Sequence, residues 1–119
     1  MMKIVFCLKR HPDMTRAEFQ DYWRNRHAPL VMARAKLLGI VRYVQSHTVD
    51  DVVFARASAA RGGCPPYDGV AELWYSDEPP EGTLEEQRQA SRDLLEDERC
   101  FIDVPNSPLF IVREKEIIA

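Results

Sequence analysis

The chain has 119 residues, a length that fits one domain with an enclosed core and lies near the size at which a second subunit is a useful source of burial. Its net charge of −3, with acids and bases intermixed, argues against a phosphate-tracking nucleic-acid surface, and no apolar run reaches the length of a membrane span or an export signal, so a cytoplasmic location is expected. Cys7, Cys64 and Cys100 are odd in number and lack zinc-type spacing, which points to free thiols and no metal centre.

Residues 2–9 are almost all apolar, as in a central strand buried on both faces. Pro12-Asp13 turns the chain, and Thr15-Arg-Ala-Glu18 has capping-box spacing, so a helix is expected over about residues 15–38, broken or kinked at Pro29 and ended by Gly39. Phe19, Trp23 and His27 stand four apart on it, which delivers an imidazole to the end of an apolar stripe. A second strand over about residues 41–48 carries Tyr43, Gln45 and His47 on one face by its period of two.

Residues 49–66 form a long connection, expected to be functional or partly helical through residues 54–60, with Gly62-Gly63 as a possible hinge. Asp68-Gly69 reads as a turn in which the glycine takes an unusual backbone angle and the aspartate a structural role. A third strand follows over residues 68–75, stopped by Pro79-Pro80. Thr83-Leu-Glu-Glu86 repeats the capping box and opens a helix to about residue 98, with Leu84, Ala90 or Ser91, Leu94 and Leu95 on its buried side. After Pro108 a last strand is expected over residues 109–117. The order βαββαβ gives an α+β fold, a four-stranded antiparallel sheet with both helices on one face. Strands one and four are apolar on both faces, so a second copy of the chain is expected to cover the helix-free face.

Four segments carry a further signal: Leu8-Lys-Arg-His-Pro-Asp-Met-Thr-Arg-Ala-Glu-Phe19, Tyr22-Trp-Arg-Asn-Arg-His-Ala-Pro-Leu30, Arg42-Tyr-Val-Gln-Ser-His47 and Tyr67-Asp-Gly-Val-Ala-Glu-Leu-Trp74. In this order they resemble the EthD family of small proteins, the likeness being weakest over residues 49–66. The resemblance implies a ferredoxin-like chain that pairs into a dimeric α/β barrel, an architecture that also houses muconolactone-type isomerases and cofactor-free monooxygenases.

The candidates for proton transfer are His27, Tyr43 and His47, with Trp23, Gln45, Glu72 and Cys64 as substrate contacts. Each has a plainer alternative. His27 is either a general acid or base or a cap on the broken helix; Tyr43, Gln45 and His47 line either the barrel lumen or the solvent face of an edge strand. Glu72 is either a carboxylate of raised proton affinity in a dry barrel or the partner of an arginine on a neighbouring strand. Trp23 is core or ligand platform, and Cys64 nears the pocket only if the long connection folds over its mouth. With no phosphate-cradling loop, dinucleotide fingerprint, serine elbow or zinc-protease motif, no cofactor is expected. Two functions fit these residues. The first is a cofactor-free acid/base enzyme of the isomerase, dehydratase or cyclase type, acting on a small apolar oxygenated ring compound in a catabolic or polyketide pathway. The second is a non-catalytic accessory or ligand-binding protein; an RNA-binding module is disfavoured by charge and by the missing aromatic signature.

Overall fold

The capping box at Thr15 forms as its spacing requires. In the computed structural model, which describes residues 1–119, the Glu18 amide donates to Thr15 Oγ1 at 3.1 Å and the Thr15 amide to Glu18 Oε1 at 3.0 Å. Helix α1 (Arg16–Tyr22) starts there and runs into one wide turn of π-helix, Trp23–His27, before α2 (Ala28–Leu38). Pro29 is in the first turn of α2. It has no amide to donate back and its ring crowds the preceding turn, and the break expected there takes the form of an inserted residue: the Ala28 amide bonds the carbonyl of Trp23, five residues back. Gly39, at φ 77°, closes α2 in the left-handed conformation.

Strands β1 (Met2–Leu8), β2 (Ile40–His47), β3 (Gly69–Tyr75) and β4 (Leu109–Val112) form one antiparallel sheet in the order β2-β3-β1-β4. With α4 (Leu84–Phe101) this is the ferredoxin-like arrangement, and Thr83 and Glu86 make the second capping box. β4 ends at Val112, short of the expected residue 117. Val112 pairs with Lys3, and β1 extends only one residue past that pair, so residues 113–119 have no strand to bond. Leu84, expected to be buried, lies exposed in the first turn of α4, whereas Ala90 is buried and Leu94 and Leu95 are half-buried.

The register sorts the sheet into two faces. Tyr43, Leu73 and Ile4 stand in one row, Gln45, Ala71 and Phe6 in the next, and His47, Gly69 and Leu8 in the third, all beneath the helices. Phe6, Leu8 and Ala71 pack there with Phe19, Trp23, Phe101 and Ile102 as the core. Gly69 has no positive φ, contrary to the turn expected of it; a Cβ there would stand 2.4 Å from Trp23 Cζ3, so the glycine exists to let the indole lie on the strand. Beside it Asp68 is buried, accepting from the Arg10 amide at 2.8 Å, Arg10 Nη1 at 2.9 Å and Arg16 Nε at 3.2 Å. Burial works to raise that carboxyl, but the Arg10 amide and the two guanidiniums outweigh it and hold it below the ordinary range. It ties the end of β1 to α1, the structural role expected of it.

The opposite face carries no helix. Val5, Cys7 and Phe110 lie on it with a polar group at one end, where Lys3 pairs with Glu72 and stands over Trp74, whose indole N–H donates to Glu114 at 2.8 Å. Residues 49–66 include a further helix, α3 (Val52–Ala60), capped by the Asp51 carboxylate. It buries none of its residues and leaves Val52, Val53 and Phe54 exposed, which makes it a surface insertion.

Candidate functional site

α4 lies against α2 and the π-turn, and the space left above the sheet is a cavity of about 330 Å³. Every residue lining it is apolar or aromatic except His27, Ser91 and Glu98. The walls are thus nearly free of competing polar groups, the usual character of a small-molecule site.

His27 is the last residue of the π-turn and is 6% exposed. Its Nδ1 lies 2.7 Å from Asp97 Oδ2, and the Tyr22 hydroxyl donates to Asp97 Oδ1 at 2.6 Å. Against an ionised carboxylate Nδ1 carries the ring proton, which leaves the lone pair on Nε2, a nitrogen with no partner inside the chain. Burial pushes the imidazole below its ordinary proton affinity and outweighs the opposing pull of Asp97, so the ring is neutral near pH 7. A neutral, oriented imidazole in an apolar wall is equipped to accept a proton.

The next residue on α4 has a different environment. Glu98 lines the cavity without a hydrogen bond or ion pair, and its carboxyl is pushed up to about 7 by burial first and by Asp97 second. Neither Asp97 nor Glu98 is among the candidates read from sequence, because Glu96-Asp-Glu-Arg99 looks like a solvated helix end. The signal was the spacing: Ala90, Leu94, Glu98 and Phe101 recur at helical intervals, so a carboxylate stands in the apolar stripe itself.

Tyr43 lines the cavity and His47 does not. Both face the helices, not a lumen on the helix-free side, because the register puts them in rows with Ile4 and Leu8. Gln45 stands between them, outside the cavity wall: its Nε2 donates to Trp23 O at 3.0 Å and to the Tyr43 hydroxyl at 2.8 Å, while Oε1 is 2.8 Å from His47 Nε2. Tyr43 thereby accepts one bond and keeps its own O–H to give. Burial raises its proton affinity, so it stays a phenol and a donor. His47 stacks on Trp23, ring centroids 4.5 Å apart, and its imidazole is held low by burial and then by Arg24. Trp23 is 1% exposed and belongs both to the core and to the cavity wall. Glu72 is on the helix-free face, paired with Lys3 of β1 and not with an arginine. Cys64 is exposed among Gly63, Pro65 and Pro66, in a separate surface hollow under α3. Tyr75, absent from the sequence candidates, adds a second phenol to the cavity wall.

A model of the EthD domain matches residues 11–105, a span that includes His27, Tyr43, Asp97 and Glu98. The chain belongs to the EthD family. Solved structures share its fold. An EthD family protein from Bacillus halodurans is similar at 21% identity and a TM-score of 0.59, over 97% of this chain and 100% of its own. HapK from Hahella chejuensis is similar at 11% identity and a TM-score of 0.56, over 100% of this chain and 99% of its own. An EthD-like protein from Ralstonia eutropha follows at 19% and 0.53, over 97% and 96%. No curated protein matches the chain. At these identities the likeness establishes the fold, and the reaction has to be argued from the EthD cavity itself.

Proposed function

We propose that this EthD-family chain is a cofactor-free acid/base enzyme, of the isomerase, dehydratase or cyclase type, for a small, largely apolar ring compound bearing carbonyl or phenolic oxygens. The observation that carries the reading is the His27–Asp97 contact in the cavity wall. Asp97 fixes the tautomer, and Nε2 takes a proton from a carbon made acidic by a neighbouring carbonyl. Tyr43, positioned by Gln45, donates to the oxygen on which negative charge develops, a contact that gains strength where water is scarce. The apolar walls select a hydrophobic ring and leave only its oxygens to be oriented by hydrogen bonds. The working form in this reading is a homodimer in the cytoplasm, with the apolar helix-free sheet face of one chain covering that of its partner.

Deuterium uptake tests the reading before any product is identified. The protein in D2O is offered a panel of lactones, phenols and fused-ring ketones, and incorporation is followed by mass spectrometry. Exchange well above the buffer rate is expected for at least one compound, falling about 10²-fold or more in His27→Gln with the melting temperature retained. Tight binding of panel members without exchange would instead support a non-catalytic, ligand-holding protein.

A further inference from the structure

Besides the phenols Tyr43 and Tyr75, two ionisable side chains reach the cavity, and they come from different elements: His27 from the π-turn and Glu98 from α4. Asp97 holds the first. Nothing in the chain holds the second, although an unpaired carboxylate in an apolar wall is costly and a residue on the last turn of a helix is easily placed in water. The groups that face Glu98 are Asp97 and Arg99 on its own helix, Tyr43 from β2 and Tyr75 from β3, with His27 in the same cavity wall. Asp97 disfavours its ionised form more than Arg99 favours it. The two phenols feel its charge, and burial keeps both protonated, so neither neutralises it. The arrangement keeps a proton on Glu98 at a pH where surface glutamates have lost theirs.

We propose that Glu98 is the acid partner of His27: it gives its carboxyl proton to the carbonyl oxygen of the bound ring compound while His27 Nε2 removes a proton from the adjacent carbon, so that the cavity catalyses enolisation. The inference rests on the acid/base reading of His27 and adds the second proton site and the substrate class, a ketone or lactone with an acidic α-hydrogen. The step balances. The C–H and carboxyl O–H bonds break, an imidazole N–H and an enol O–H form, and the C–H electron pair becomes the new C=C bond as the carbonyl π pair takes up the proton. The enzyme is left as imidazolium and carboxylate, with no oxidant or reductant required. Return of the imidazolium proton to another carbon of the conjugated system, and of the enol proton to Glu98, completes an isomerisation and restores both side chains.

The test uses Glu98→Gln beside His27→Gln in the deuterium assay, together with a ¹³C NMR titration of the glutamate carboxyls in the full-length protein. The wild-type rate should fall on the alkaline side as Glu98 ionises, through about pH 7, and on the acid side as His27 is protonated. Glu98→Gln should lose about 10²-fold in rate and flatten the alkaline fall, and the carboxyl resonance that it deletes should titrate near neutrality. A resonance titrating in the ordinary carboxylate range would overturn the proposal. So would a Glu98→Gln rate and pH profile equal to wild type beside an inactive His27→Gln, which leaves the His27 reading standing. Absence of exchange in the wild-type protein with every compound would remove both.

Discussion

Replacing Glu98 with Gln should make the protein more stable, and only at high pH. In the unfolded chain this side chain titrates at its ordinary value of 4.5, and in the folded chain burial lifts it to about 7. Below pH 4.5 both states hold the proton and nothing is lost. As the pH rises from there the unfolded chain ionises first, so folding must recover a proton, and stability falls until the folded state ionises as well at about 7. At about 1.36 kcal/mol per pH unit, the gap corresponds to roughly 3 kcal/mol, a large share of the roughly 5–15 kcal/mol that holds a domain of this size. Gln does not titrate. The variant should therefore match the wild type near pH 4 and exceed it by up to about 3 kcal/mol at pH 8. The contribution of His27 has the opposite sign, being lost as pH falls below 6.5, and it cancels in the difference between the two proteins. Urea melts across this range, read by tryptophan fluorescence with the m-value held constant, measure the difference directly. Two stability curves that run parallel from pH 4 to 8 would refute the claim that the folded protein presses a proton onto Glu98.

Gly69→Ala should cost about 1–3 kcal/mol, since the new methyl would meet Trp23 at 2.4 Å and the Ser46 carbonyl at 3.0 Å in a packed core; denaturant melts check this, and an unperturbed midpoint would mean that the indole has room to shift. Light scattering of dilute protein should report twice the chain mass, and Phe110→Glu, which puts a charge on the helix-free face, should lower it to one chain; a compact wild-type monomer at micromolar concentration would defeat the dimer.

The elements that punctuation residues define were legible in the sequence. Thr15, Glu18, Gly39, Thr83 and Glu86 act through local backbone geometry, so their spacing suffices, and the four-stranded antiparallel sheet followed from the order of the elements. The width of the turn at His27 was not legible, because Pro29 marks where the regular helix is interrupted and not how many residues the interruption takes. The face that Tyr43 takes was not legible for a related reason. A period of two groups Tyr43, Gln45 and His47 but leaves open which side of the sheet the group takes, and pairing with β3 decides it. Asp97 and Glu98 were hidden by composition, since four charged residues in a row resemble solvent-facing helix; the spacing of the apolar stripe marks Glu98, and only the contact with His27 sets Asp97 apart.

Gln45 is held at both ends of its amide. Both protons of its amide nitrogen and its carbonyl oxygen are engaged, by a helix carbonyl, a phenol and an imidazole, and rotating the amide by half a turn would set oxygen against oxygen at Trp23. The side chain acts as a spacer of fixed length between the outermost strand and the π-turn. Any ligand that drags the Tyr43 hydroxyl therefore tugs on the main chain four residues ahead of His27, and the cavity should respond to its occupant as one jointed frame rather than as independently swivelling side chains.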